Sequence, residues 1–344
     1  MKSRVMEVAV NVLLFILGLF LVVLSLLDAL WTAVWVDGGA GPVTAQITNG
    51  VWWVMKKSIR TKRNYWLSLA GPLIQILTVF AWVGLLWAGW VLMFSSDSGA
   101  LVYTRTPAPE SGTWIDRIYF VAYTMSTMGN GDLYPSRGGW SIAASFTTLS
   151  GMFLITMVVS FLLSVIGGVT TKQSLASQIT GLGNSAEEFI LNVWDGKGFS
   201  GLDLQLISMS SQLGTLTEQQ LAYPVLHRYH GASPQEDSAP AVAIFDDALT
   251  IMNYGLQESY RPPPALLKSA RSTVQSYLRT LASASIYPAD RVPPAPDLAP
   301  LRKAGIPVVS DEEFARSLDD LNHRRKLLLG LVERNSFRWP QGSL

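Results

Sequence analysis

The 344-residue sequence contains no cysteine, which excludes disulfides, thiolate chemistry and cysteine-ligated metals and leaves the compartment unmarked by redox chemistry. It also has almost no net charge. Its 26 Lys and Arg against 25 Asp and Glu leave +1, and no basic stripe with interleaved aromatics offers a nucleic acid a surface. Charge of either sign is scarcest in the first half: residues 1–172 hold eleven Lys and Arg, seven Asp and Glu, and ten of the twelve tryptophans. Residues 173–344 hold fifteen and eighteen charges of the two signs and thirteen of the eighteen prolines. With a mean hydropathy of +0.27, this asymmetry implies a lipid-embedded first half and a solvated second half, changing over near Lys172.

A helix needs about 20 apolar residues to cross a hydrocarbon core of roughly 30 Å. Three stretches qualify. Val8–Leu27 is interrupted only by Asn11 and Ser25, whereas Leu67–Phe94 and Ser141–Val169 carry no charge. The residues after Leu27 do not resemble a signal-peptide cleavage site, so the first span is read as retained. Lys56, Lys57, Arg60, Lys62 and Arg63 outnumber Lys2 and Arg4, which predicts a cytoplasmic first loop, an external N-terminus and a cytoplasmic second half, in the cell membrane. Val43–Met55, with Trp52 and Trp53, reads equally as an interfacial helix or a basic loop with aromatic anchors.

Residues 113–135 lie between the last two spans and fit neither. Thr113 and Asp116 have capping-box spacing, and the following residues to Thr124 predict a short apolar helix. Gly129 and Gly131 then end it, and non-helical backbone at membrane depth is tolerated only when buried in protein or lining water. Taken alone, Gly129-Asn130-Gly131-Asp132 could be a simple turn.

The run Thr124-Met125-Ser126-Thr127-Met128-Gly129-Asn130-Gly131-Asp132-Leu133-Tyr134-Pro135 resembles the signature of the potassium-channel superfamily, two-helix pore-domain type, with a variant filter. The resemblance implies a selectivity filter at 127–132. The ion-coordinating filter would be Thr127, Met128, Gly129, Asn130 and Gly131, with the carbonyls of the first four and the Thr127 hydroxyl lining the potassium sites, and no resident cofactor is needed. Tyr123, Thr124, Ser126 and Asp132 would support the filter. One chain supplies one such segment, so a homotetramer in the bilayer is implied. Asn130 replaces the family's usual aromatic or leucine and opens the alternative of a weakly selective channel that also passes sodium. Tyr123 replaces a common glutamate, and its phenol is expected to reach Asp132. Loss of conduction in a membrane-anchored scaffold is a further alternative.

By the same resemblance residues 140–171 form the inner helix. Gly151 stands where many members place a gating hinge, and it equally suits close helix packing. Ile155, Val159, Leu163 and Ile166 share a face and are hydrophobic-gate candidates. No span has the regular Arg or Lys of a voltage sensor.

The expected architecture is therefore an all-α membrane protein. It comprises an N-terminal transmembrane helix in 1–36, a basic loop in 37–66, a pore domain in 67–172 and a helical regulatory domain in 173–344. Within the pore domain lie the outer helix 67–94, pore helix 113–124, filter and inner helix. The last domain, with an unidentified cytoplasmic ligand, is the expected regulator, and mechanical or lipid control stays open as an alternative. Asp311–Arg334 predicts one helix, with Ser310 and Glu313 as a capping box and a stripe of Phe314, Leu318, Leu321, Leu328 and Val332. Gly181-Leu182-Gly183-Asn184-Ser185-Ala186 lacks the strand a dinucleotide fingerprint requires, and Gly196–Ser200 lacks a P-loop's pattern. His227 and His230 are read as surface residues, and Asp246-Asp247 and Asp319-Asp320 as solvated helix faces. No nucleophile, base and orienting group recur together, so no enzyme is expected.

Overall fold

A computed structural model of the chain describes residues 2–35, 39–58, 69–104, 112–231, 233–283 and 286–341. Residues 60, 62 and 63 of the basic cluster, and the side chains of Lys56 and Lys57, lie outside them. Three helices are long and apolar enough to cross a membrane, within Arg4–Val34, Ala70–Ser95 and Gly139–Thr180. The chain divides into two compact units, one of Met1–Trp53 with Leu73–Ser164 and one of Val54–Pro72 with Val165–Leu344.

In the first unit, α1 (Lys2–Val34) packs on α3 (Ala70–Ser95), with α2 (Pro42–Ser58) between them in sequence. Glycine sets the approach. A Cβ on Gly18 would lie 2.5 Å from the Gly89 carbonyl oxygen, and one on Gly89 would lie 2.8 Å from that of Gly18. Small residues in facing positions let helix backbones touch where no hydrophobic force draws them together. Nearly three turns beyond Gly18, Asp28 is buried at 1% exposure. Its carboxylate accepts from Val43 N at 2.7 Å, Thr44 N at 3.2 Å, Thr44 Oγ1 at 2.6 Å and the Trp82 indole at 2.7 Å. It thus caps the start of α2 from another helix and ties both to α3.

The first unit continues through β1 (Leu101–Tyr103), α4 (Trp114–Met125) and β2 (Leu133–Pro135) into α5 (Gly139–Thr180). β1 and β2 pair antiparallel with Val102 opposite Tyr134. α5 runs nine residues past Thr171, so the composition break near Lys172 falls inside a helix. Nothing between Thr171 and Thr180 stops it, and Leu175, Ala176 and Ile179 are buried in the second unit's core.

That core is helical. The central helix α8 (Ser238–Thr250) is buried on every side, following α6 (Ala186–Val193) and α7 (Leu202–Ala222). α9 (Pro264–Ser283) packs on α7 and α8, and the short α10 (Ala299–Lys303) on α6. Two expectations change here. The single helix over 311–334 is broken into α11 (Asp311–Asp319) and α12 (Asn322–Arg334), and Ser310 accepts from Glu313 N at 3.2 Å. The break lets Phe314, Leu318, Leu328 and Val332 all enter one core, which a straight stripe would not reach. Asp246 and Asp247 are not solvated but buried, at 0% and 4% exposure. Asp246 pairs with Arg324, and Asp247 accepts from Arg325 Nε and Nη2, both at 3.1 Å. A carboxylate that loses water needs such a partner. Asp319 and Asp320 are exposed.

His230 is likewise buried rather than on the surface, and His227 half-buried. Ser174–Thr180, ahead of the glycine pair Gly181 and Gly183, is the end of α5 and not a strand. Asp195 gathers Lys197 N and Gly198 N at 2.8 and 2.6 Å, making Gly196–Ser200 a closed turn.

Candidate ion-conducting site

The reciprocal capping box forms at the head of α4. Asp116 N donates to Thr113 Oγ1 at 3.3 Å, and Thr113 N donates to Asp116 Oδ2 at 2.7 Å. Tyr103 on β1 donates to the same carboxylate. Arg117 is buried and donates to the Phe94 carbonyl at 3.0 Å and to those of Asp97 and Ser98 at 3.4 Å, binding the end of α3 to the start of α4. Trp140 at the head of α5 donates to Asp97 Oδ2 at 2.8 Å. The short helix is therefore held at both its neighbours before the chain turns.

The helix ends in stages. Ser126 N donates to Ala122 O at 3.1 Å and Met128 N to Tyr123 O at 2.8 Å, after which no helical bond follows. The backbone then alternates. φ is +59° at Thr127, +62° at Gly129 and +75° at Gly131, while Met128 and Asn130 between them keep negative values. A backbone that alternates positive and negative φ can turn successive carbonyls toward one side, and glycine takes the positive-φ position without strain. Thr127 is a β-branched residue in that region, an uncommon strain of the kind that clusters at functional sites. In the single chain Ser126–Asp132 are all exposed.

Side chains brace this loop from one side. Thr104 Oγ1 donates to the Gly131 carbonyl at 2.6 Å, and Thr104 N to that of Asp132 at 3.0 Å. Tyr123 does not reach Asp132. Its hydroxyl donates to the Leu133 carbonyl at 2.7 Å, because the β1–β2 pairing draws Leu133 under the ring. Tyr119 takes that place, donating to Asp132 Oδ2 at 3.2 Å and accepting from the Asn130 amide. The Tyr119 and Tyr123 rings meet edge to face at 5.0 Å. Tyr119 was not singled out by its sequence, although its place four residues before Tyr123 puts both on one helix face. Ser126 Oγ donates back to the Tyr123 carbonyl at 3.3 Å, and Thr124 is half-buried.

On α5, Gly151 lies directly under the end of α4. A Cβ there would come within 3.0 Å of the Met125 Cα, so the close-packing role has a concrete partner. Ser150 beside it accepts from the Trp90 indole at 3.0 Å. Ile155, Val159, Leu163 and Ile166 lie at spacings of four, four and three and are 49–66% exposed in the single chain. A shared face left bare on an isolated subunit suits either lipid or other subunits. Among the described residues, no group of three His, Cys, Asp or Glu could hold a metal ion.

A family model described as "Ion channel" matches residues 78–167, the stretch from α3 through the braced loop to α5. The uncharacterized membrane protein YdjJ of Bacillus subtilis (strain 168) is 42% identical over 325 residues, covering 94% of each chain. No solved structure matches. The relative covers the second unit as well as the first, so the two units occur together in both proteins. The chain belongs to one family with that membrane protein, and its residues 78–167 are an ion-channel domain of the two-helix, potassium-channel-like type.

Proposed function

We propose that four copies of the chain close around one axis in the cell membrane and conduct potassium passively between the carbonyls of Thr127, Met128, Gly129 and Asn130. The observation that carries this reading is the alternation of φ at residues 127–131, on a loop exposed in one chain and braced from behind by Thr104, Tyr119 and Tyr123. A ring of such loops replaces the hydration shell of a cation with oxygen dipoles. The carboxyl end of α4 carries the negative end of its dipole to the start of the loop. Residues 155–166 supply the hydrophobic constriction, and Gly151 the place where α5 yields. The basic residues of 56–63 favour a cytoplasmic second half and an external N-terminus.

A weakly selective monovalent cation channel is the second reading, favoured by Asn130. Its amide is engaged by Tyr119, a polar tether in place of the bulk that packs behind other filters. Purified protein in vesicles loaded with potassium tests the proposal. Efflux that is abolished by Gly129→Ala, together with a particle mass of four chains, supports it. A conducting monomer or dimer contradicts the tetramer, and no efflux under any voltage or lipid contradicts conduction.

A further inference from the structure

A cavity of about 630 Å³ lies inside the first unit, between α1, α3 and α5. Leu19 and Leu26 wall it from α1, Trp90 and Met93 from α3, and Ile142 and Phe153 from α5. All six belong to helices long and apolar enough to cross a membrane. The wall given by α1 is fixed by the Gly18 and Gly89 contact: a Cβ on Gly18 would lie 2.7 Å from the Met93 Cγ, and one on Gly89 would lie 2.8 Å from Val22 Cγ2. Leu19 and Trp90 directly follow those two glycines, so the cavity begins where the close approach ends.

The lining offers nothing to water or to a polar ligand. Among the described lining residues, the polar side-chain atoms are the Trp90 indole N–H and the Ser150 hydroxyl. The indole donates to Ser150 Oγ at 3.0 Å, and Ser150 Oγ donates on to the Thr147 carbonyl at 3.0 Å. Apolar cavities of this kind stay dry, and walls that face an empty space forgo their dispersion contacts. An apolar occupant restores those contacts and requires no hydrogen bond.

Shape decides between the apolar occupants a membrane offers, a neighbouring helix and a lipid tail. Along α5 the lining runs from Gly139 to Phe153, about 21 Å, and along α1 from Leu19 to Leu26, about 10 Å. Spread over those lengths, 630 Å³ is roughly 6–9 Å across, narrower than the about 10–12 Å of a helix with its side chains. An unbranched hydrocarbon chain fits where a helix does not. We propose that this cavity binds one acyl chain of a membrane phospholipid. Residues 19–26 lie outside the stretch 78–167 that matches ion channels, so α1 adds the site to the pore domain. Ser150 adjoins Gly151, which places the site beside the point where α5 passes the end of α4.

The test needs the membrane spans and not conduction, so it stands apart from the function proposed above. The full chain in nanodiscs is irradiated with a trace of phosphatidylcholine carrying a diazirine midway along one acyl chain, and labelled peptides are mapped by mass spectrometry. Residues 19–26 and 142–153 should be labelled severalfold more than the segments around Leu13 and Phe80, which are exposed on the same spans outside the cavity. Ala143→Phe, which fills the cavity from its α5 wall, should cut that labelling severalfold and leave the Leu13 and Phe80 segments unchanged. Leu149→Trp, at an exposed position of the same wall, provides the same reading should Ala143→Phe fail to fold. Cavity labelling equal to that at Leu13 and Phe80 means a passing lipid annulus, and labelling below it means that a second copy of the chain covers the cavity. Either result, or labelling undiminished in a folded filled variant, overturns the proposal.

Discussion

Asp28 of the first unit and the Asp246–Asp247 pair of the second are buried in opposite ways. In the first, Asp28 is served by neutral donors: two backbone N–H groups at the start of α2, the Thr44 hydroxyl and the Trp82 indole. In the second, Asp246 and Asp247 each meet an arginine. The difference follows from what surrounds them. A helix rich in apolar residues has no Lys or Arg to spare beside Asp28, so dipoles compensate it, whereas the solvated half has the charge density to supply counter-ions. Dipolar compensation leaves no second charge behind when the first is removed; ion pairing does.

The largest expected effect comes from breaking an ion pair. Arg325→Gln leaves Asp247, which is 4% exposed, without its guanidinium and should destabilise the second unit by about 3–5 kcal/mol, read by denaturant or thermal unfolding at pH 7. Asp28→Asn should lower stability in detergent by less, about 1–3 kcal/mol, because its partners are neutral donors and only some lose their acceptor. Equal losses in the two variants would erase the distinction between the units.

pH sharpens it further. Burial pushes the Asp247 carboxyl up to about 6 from 3.8, against the pull of Arg325 and with Asp246 and Glu187 adding repulsion. The folded state then holds its proton more tightly than the unfolded one. Its stabilising contribution is complete below about pH 4 and is lost as the pH rises through about 6, on the order of 3 kcal/mol across that window. Stability of wild type measured from pH 4 to 7 should fall relative to Asp247→Asn by that amount, and parallel curves would contradict it.

Smaller effects belong to the bracing of the loop. Tyr119→Phe removes the hydroxyl shared by Asn130 and Asp132 and should change the potassium to sodium permeability ratio severalfold, consistent with roughly 1 kcal/mol for a hydrogen bond. Asn130→Tyr should raise potassium preference, and unchanged ratios in both variants would separate selectivity from these side chains.

Much of the fold was legible because its signals are local. Apolar runs of spanning length, the capping pair Thr113 and Asp116, and alternate glycines each lie within a few residues of what they determine. What was not legible is non-local. Asp246-Asp247 reads as a solvated face until Arg324-Arg325, 78 residues later, arrives against it. The end of the inner helix was misplaced because Leu175, Ala176 and Ile179 look like ordinary surface spacing until the second unit's core covers them. In the candidate site, the hydroxyl of Tyr123 is claimed by Leu133 through strand pairing, which leaves Asp132 to Tyr119. Neither partnership has a sequence pattern of its own.

The central claim is that the loop at 127–131 conducts potassium, and a reversal potential tests it most directly. With purified protein in a planar bilayer and unequal potassium and sodium on the two sides, the account predicts reversal near the potassium equilibrium potential. Reversal near zero would contradict potassium selectivity, and the absence of any current across voltages and lipids would contradict conduction itself.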